Sequence, residues 1–189
     1  MRQGENLSPF LFALFINDIE GFLTQNGCDP IQVTGADIHT YLKLLVIMYA
    51  DDTVLFANTK ENLQKCLNGL KLYCDKWKLQ IYADKTKVLV FAKQKINRCD
   101  INFTIGGESI EIVDEFKYLG VKFSYNGNFH TTIKDLEIQG SRALFSVIKK
   151  ARNENLPVDI QFEMFDRMVI PVILYGCEIW GYKKMVILE

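Results

Sequence analysis

From Tyr41 to Ala57 the chain reads YLKLLVIMYADDTVLFA, an apolar run, then two adjacent aspartates, then a second apolar run. Apolar, β-rich segments of this length on both sides of a short polar step predict a strand at about 42–49 and a return strand at 53–57, with Ala50-Asp51-Asp52 at the bend. A lone two-stranded hairpin is marginal in water, so its apolar side must be covered by other elements. Two like charges at the tip would raise each other's pKa in poor solvent unless a cation were present. Magnesium is a hard cation that takes carboxylate and phosphate oxygens, commonly with one or two side chains plus the phosphates of a substrate. An Asp-Asp pair also closes ordinary surface hairpins, because aspartate is a good turn residue.

The covering elements are legible on either side. Ser8-Pro9 followed by FLFALFINDIEGFLTQNG predicts a helix with Ser8 as N-cap and Pro9 in its first turn, ending near Gly27. Phe12, Phe15, Ile16, Ile19 and Leu23 recur at helical spacing, while Phe10, Leu11 and Leu14 make its start apolar nearly all round. CDPIQVTGADIH is a loop or a short β excursion. Lys60 to Trp77 places Leu63, Leu67, Leu70, Cys74 and Trp77 on one stripe of an amphipathic helix with its lysines outward. Strands are expected at Leu79 to Tyr82 and Thr86 to Ala92, with a turn at Ala83-Asp84. INFTIGGESIEIV is a hairpin turning at Gly106-Gly107, and FKYLGVKF is one more short strand. Helices follow at about Thr132 to Ala151, with Ile133, Leu136, Leu144, Val147 and Ile148 as the apolar side, and at 158–169 after Pro157. Pro171 marks a break before VILYGCEIWG. This order gives an α+β fold.

At 189 residues, 49% of them apolar, the chain has material for one ordinary core. Its longest apolar stretches fall short of the roughly 20 residues that a membrane helix needs. Glu5, Asn6 and Pro9 interrupt any leader-like run, so the expected location is cytoplasm or nucleus, without secretion or membrane attachment. Cys28, Cys66, Cys74, Cys99 and Cys177 are odd in number, widely spaced and lack a CxxC, which points to core or surface thiols. The net charge of −1 hides a segregation: 1–59 carry two Lys/Arg against seven Asp/Glu, 60–100 ten against four, and 101–189 ten against twelve. A metal-binding core beside a polyanion-binding surface would have this layout, and so would solvated helix faces.

Five stretches together resemble the reverse transcriptases of non-LTR (LINE-like) retrotransposons: RQGENLSPFLF at Arg2 to Phe12, YADD at Tyr49 to Asp52, WKLQIYADKTKVLVF at Trp77 to Phe91, FKYLGVKF at Phe116 to Phe123 and YGCEIWG at Tyr175 to Gly181. They stand in the family's order and cover nearly the whole chain. The resemblance implies a polymerase palm-like antiparallel sheet packed against helices over 1–125, and a small thumb-like helical segment over 126–189. It implies an RNA template, a DNA primer and deoxynucleoside triphosphates as partners, and two Mg²⁺ ions, with Mn²⁺ as a substitute.

Residue by residue, the resemblance makes Asp51 a metal ligand and Asp52 its weaker neighbour. Tyr49 and Ala50 would lie under the primer end or the incoming sugar; otherwise Tyr49 is an aromatic flanking the hairpin. Gln3 and Gly4 would shape the nucleotide pocket, and Arg2 would touch phosphate or template or be simply solvated. Lys85 and Lys87 share a side if Lys85 to Phe91 is a strand, where they would lie near the triphosphate or form a plain exposed pair. Tyr118, Leu119 and Gly120 would contact the primer strand, or form a strand with a glycine bulge. Tyr82 stands where the family usually has Asn. The strand bearing the family's first catalytic aspartate, and the fingers before it, would lie upstream of Arg2. Asp18 and Asp37 do not replace that aspartate by pattern, reading as helix-end and turn residues. The isolated chain is therefore expected to be inactive. A nucleic-acid-binding remnant without chemistry, and an α+β domain with no retained role, stay open as alternatives.

Overall fold

A computed structural model describes residues 7–34, 41–94 and 101–181. The chain divides into two compact units, 1–87 with 98–111, and 88–97 with 112–189.

The first unit opens with α1 (Ser8–Phe15) and α2 (Ile19–Gln25), where the sequence predicts one helix. The break has a local cause. Asn17 and Asp18 are weak helix formers, and the Asp18 carboxylate accepts a hydrogen bond from the hydroxyl of the fully buried Tyr73, at 2.5 Å. Burial, then the bond to Asp18, raises the Tyr73 pKa. Asp18 is thus a helix-end residue, as its pattern suggests. Ser8 is the first helical residue and Leu7 holds the N-cap position, so the expected Ser8 cap is not formed.

β1 (Ile31–Thr34) pairs antiparallel with β2 (Tyr41–Leu44), which settles the excursion after Cys28 as a strand. β3 (Val46–Tyr49) pairs antiparallel with β4 (Asp52–Leu55). The expected strand at 42–49 is therefore two strands with different partners. Leu45, between them, is 1% exposed and sits at a bend, while its carbonyl accepts the Phe56 N–H at 2.9 Å. A side chain that drops into the core at that point turns the chain from β1 toward β4.

α3 (Lys60–Trp77) starts at Thr59, whose side chain accepts the Asn62 N–H, and ends on Lys78 in the left-handed region at φ 55°. Its buried stripe is Cys66, Leu67, Gly69, Tyr73 and Cys74, broader than the leucine-led one expected from the sequence. Asn62 also brackets the Asp29 backbone, accepting from its N–H at 3.0 Å and donating to its carbonyl at 2.7 Å. Ile16, Ile19, Leu23, Cys28, Leu45, Cys66 and Tyr73 form the core of this unit, with Phe12, Val46, Met48 and Leu55 packed against it. Full burial of each such aliphatic side chain contributes about 1.5–3 kcal/mol. Cys28, Cys66 and Cys74 are free, buried thiols, and burial pushes Cys66 up to about 12. Such thiols are inert. Residues 79–82 form no strand, and only Lys87–Leu89 of the expected 86–92 strand forms β5. The β6 (Phe103–Ile105) and β7 (Glu108–Val113) hairpin turns at Gly106-Gly107 as predicted, with β7 between β6 and β5.

In the second unit FKYLGVKF is a hairpin rather than one strand. β8 (Glu115–Tyr118) and β9 (Val121–Ser124) are joined by Leu119 at φ 46° and Gly120 at φ 85°. Two positive φ values at a two-residue turn match the twist of the flanking strands, so the glycine closes a hairpin and does not make a bulge. α4 (His130–Asn153) follows, buried along Thr132, Leu136, Gly140, Val147 and Ala151. The Thr132 hydroxyl accepts the Lys122 N–H at 3.0 Å and donates to the Lys122 carbonyl at 2.8 Å, fixing α4 on β9. α5 (Val158–Met168) begins after Pro157. The helix path breaks at the buried Val169, and Pro171 lies in the first turn of α6 (Ile170–Ile173) rather than at the break. α7 (Cys177–Trp180) ends the described chain.

Gly176 precedes α7 at φ 67°, and a Cβ there would stand 2.9 Å from Cγ2 of Val121. Left-handed backbone costs a non-glycine residue about 1–2 kcal/mol. Valine is stiff at χ1 and yields little. Gly176→Ala should therefore lower stability by about 2 kcal/mol or more, read as an earlier urea midpoint with unchanged slope. An unchanged midpoint would contradict this packing.

Candidate active site

The β3–β4 hairpin carries the two aspartates at its tip, which is closed by a two-residue loop. Tyr49 pairs directly with Asp52, then Met48 with Thr53, Ile47 with Val54 and Val46 with Leu55. Ala50 and Asp51 form the loop, and Asp52 is the first residue of β4, a small revision of the predicted bend. Ala50 adopts φ 52°, a conformation that costs a non-glycine residue about 1–3 kcal/mol and that clusters at functional sites.

Alternation along β3 sets the orientation of the site. Val46 and Met48 are half-buried and pack on the core, whereas Ile47 and Tyr49 face outward, Tyr49 being 63% exposed. Directly opposed residues share a face, so Asp52 projects with Tyr49 away from the core, beside the Asp51 loop. Both aspartates are exposed, and among the described residues neither carboxylate has a side-chain hydrogen-bond or ion-pair partner. Solvent, not low-dielectric surroundings, therefore accommodates the two charges. The base of the hairpin is packed on the core and its tip leaves the carboxylates open to solvent.

That donor set fits a hard dication on one side only. Among the described residues no group of three or more His, Cys, Asp or Glu could hold a metal. Asp51 and Asp52 would supply the carboxylates of one hairpin, and further ligands would have to come from elsewhere.

Other predicted residues are placed separately. Arg2, Gln3, Gly4 and Asp37 lie outside the described residues. Lys85 is in a turn and not in a strand, so it does not share a strand face with Lys87. Its Nζ lies 5.2 Å from the centre of the Tyr82 ring, and the Tyr82 carbonyl accepts the Lys85 and Thr86 N–H groups at 3.1 and 3.0 Å. Tyr82 thus organises this turn through its backbone, whichever side chain it carries. Lys87, in β5, pairs with Glu111 at 2.8 Å. The expected outward lysine face holds for Lys60, Lys65, Lys76 and Lys78, all exposed, while Lys71 is half-buried and paired with Asp75.

Tyr118, Leu119 and Gly120 belong to the second unit, where one contact was not read from the sequence. The Tyr175 hydroxyl donates to the Leu119 carbonyl at 2.9 Å, and its ring lies where a Cβ on Gly120 would stand, with Cε1 at 2.8 Å. The YGCEIWG segment therefore packs its tyrosine on the FKYLGVKF turn. A Leu-Gly step between two alternating runs was the sequence signal for that turn.

Among the described residues no helix is long and apolar enough to cross a membrane. The sequence profile of the family described as reverse transcriptase (RNA-dependent DNA polymerase) matches residues 1–123. A transposon-derived protein of Caenorhabditis elegans is 28% identical over 73% of this chain and 49% of its own length. The RNA-directed DNA polymerase from mobile element jockey of Drosophila funebris is 26% identical over 95% of this chain and 19% of its own. A Pol polyprotein from the type-1 retrotransposable element R2 of Nasonia vitripennis is 29% identical over 70% of this chain and 13% of its own. The chain thus spans about half the length of the first relative and a fifth or less of the other two. No solved structure matches it significantly.

Proposed function

The chain belongs to the reverse transcriptase (RNA-dependent DNA polymerase) family, and from that premise we propose that it is the palm and the start of the thumb of a non-LTR retrotransposon polymerase. Residues 1–125 would be the palm portion and 126–189 the thumb-like portion. The observation that carries this reading is the placement of YADD at an open hairpin tip, with Asp51 in the loop, Asp52 opening β4 and Val46 and Met48 anchored in the core.

In this reading Asp51 and Asp52 would hold Mg²⁺, and a primer terminus and a deoxynucleoside triphosphate would be the substrates. The bound ions would supply activation of the 3′-hydroxyl and neutralisation of charge on the departing pyrophosphate. The chain's own contribution is positional. β3 and β4 fix the carboxylates on a packed base, so little reorganisation remains when substrate arrives. Tyr49, on the same face as Asp52, offers a ring to the primer end or the incoming sugar. Lys85 is the better placed of the two lysines for a triphosphate or nucleic-acid backbone, because Lys87 is already engaged by Glu111. Arg2, Gln3 and Gly4 would border the nucleotide, and Tyr118, Leu119 and Gly120 the primer strand.

Two-metal phosphoryl transfer draws carboxylates from two separate strands, and one hairpin supplies one side. Primer extension on an RNA template should compare the 189-residue chain with a version extended upstream by the strand bearing a further aspartate. The expected result is Mg²⁺-dependent extension by the longer chain and none by the shorter. Extension by the shorter chain would overturn the ligand count, and its absence from both would count against the polymerase reading. The exposed lysines of α3 favour a second reading, a nucleic-acid binder without chemistry. That reading predicts primer-template binding but no extension with either chain.

A further inference from the structure

We propose that Asn126 is a self-modification site, a side-chain amide that the turn between β9 and α4 converts to aspartate and isoaspartate. The chain carries three Asn-Gly steps, at Asn26, Asn68 and Asn126. An asparagine before glycine is labile because no Cβ hinders the next backbone nitrogen on its approach to the side chain. At Asn126 the Gly127 nitrogen gives up its proton to a solvent base and attacks Cγ. The new N–C bond closes a cyclic imide, the bond from Cγ to Nδ2 breaks, and Nδ2 leaves with a solvent proton as ammonia. Water then opens the ring at either carbonyl, leaving a carboxylate on the ordinary backbone or on one lengthened by a methylene. Nothing is oxidised or reduced, and water is the co-reactant.

All three asparagines are exposed, so access to water does not rank them. Their partners do. Asn68 lies inside α3 and the Gly69 that follows is buried, so the helical ladder must open before that nitrogen can react. At Asn26 the leaving nitrogen is tied down, Nδ2 donating to the Phe22 carbonyl at 2.8 Å, and among the described residues its amide oxygen accepts nothing. The glycine N–H does not separate Asn26 from Asn126. Gly27 donates to the Thr24 carbonyl at 3.1 Å and Gly127 to the Ser124 carbonyl at 2.8 Å, and each bond must open.

Asn126 differs at the amide oxygen. Its Oδ1 accepts the Asn128 N–H at 2.9 Å and the Ser124 hydroxyl at 2.9 Å, while its Nδ2 donates to no described residue. Negative charge develops on that oxygen when nitrogen adds to Cγ, so the two donors stand where an oxyanion hole would place them. Ser124 is 7% exposed, and its hydroxyl also reaches the Asn128 carbonyl at 2.5 Å. One hydrogen is shared between two acceptors, and charge growing on Oδ1 draws it there. The product changes the joint on which α4 starts, just ahead of the Asn128 side chain that accepts the His130 N–H at 3.2 Å and of the Thr132 clamp on Lys122. Neither Asp51 nor Asp52 takes part, so the site stands apart from the polymerase reading.

The test is timed incubation of the full 189-residue chain in mildly alkaline buffer, native and unfolded in guanidinium. Peptide mapping by mass spectrometry, with fragmentation that separates aspartate from isoaspartate, follows conversion at all three steps. In guanidinium the three should convert at similar rates, because each is followed by glycine. In the native chain Asn126 should lead Asn26 on the order of tenfold, a modest part of what one fixed oxyanion donor contributes in an enzyme. Ser124→Ala should slow conversion at Asn126 several-fold and leave Asn26 as it was. A serine that only ordered the turn would give the opposite sign, since loosening the turn frees the Gly127 nitrogen. Circular dichroism checks that Ser124→Ala keeps its fold, and the native ranking of the three steps needs no variant at all. Conversion at Asn126 no faster than at Asn26 or Asn68 in the native chain would overturn the proposal, as would faster conversion at Asn126 in a folded Ser124→Ala.

Discussion

Asp51→Ala, in an upstream-extended chain that extends a primer, should lower the rate of nucleotide addition by on the order of 10³-fold, the scale seen when one preorganised electrostatic group is removed from a transition state. The fold should not change. Asp51 is exposed, lies in the two-residue loop and has no partner among the described residues, so its replacement should move stability by less than about 0.5 kcal/mol. Loss of rate with an unchanged melting curve would then report on chemistry alone. Asp52→Asn keeps shape and removes charge at the neighbour that the family resemblance ranks second, and a smaller loss is expected there. Undiminished extension by Asp51→Ala would remove Asp51 from the site. Equal losses at both positions would replace the ranked pair with two equivalent ligands.

The hairpin was legible because its signal is local. Two apolar runs flanking Ala50-Asp51 define a turn without reference to the rest of the chain, and Gly106-Gly107 works the same way. What the sequence hid were features set by tertiary partners. Leu45 looks like any residue of a continuous strand, and only its descent into the core cluster that holds Ile16, Leu23 and Cys66 splits 42–49 between β1 and β4. The helix after Ser8 appears unbroken because the cause of its break, the Tyr73 hydroxyl, lies 55 residues along the chain. FKYLGVKF misled for another reason. A glycine inside an alternating run signals either a bulge or a turn, and the positive φ of Leu119, unusual for a branched side chain, is not written in its identity. Pairing of Lys87 with Glu111 likewise depends on β5 lying beside β7.

Leu45→Ala should be the most damaging single change in the first unit, because Leu45 serves both the core and the hairpin. It is 1% exposed, belongs to the same cluster as Ile16, Ile19, Leu23 and Tyr73, and its carbonyl closes the β3–β4 ladder on the Phe56 N–H. Truncation removes buried methyls and leaves a cavity that rigid neighbours fill only in part, for an expected loss of about 2–5 kcal/mol. Ile47→Ala is the matched control. Ile47 is two residues further along on the outward face and is 41% exposed, so the same kind of truncation should cost far less. Urea unfolding gives the two stabilities, and amide exchange at Val54, Leu55 and Phe56 shows whether the hairpin opens before the rest of its unit. If the tip is held in place from its base, Leu45→Ala should speed that exchange ahead of global unfolding and Ile47→Ala should not. Comparable losses in the two variants would mean that pairing to β4, and not the side chain beneath it, fixes the position of Asp51 and Asp52.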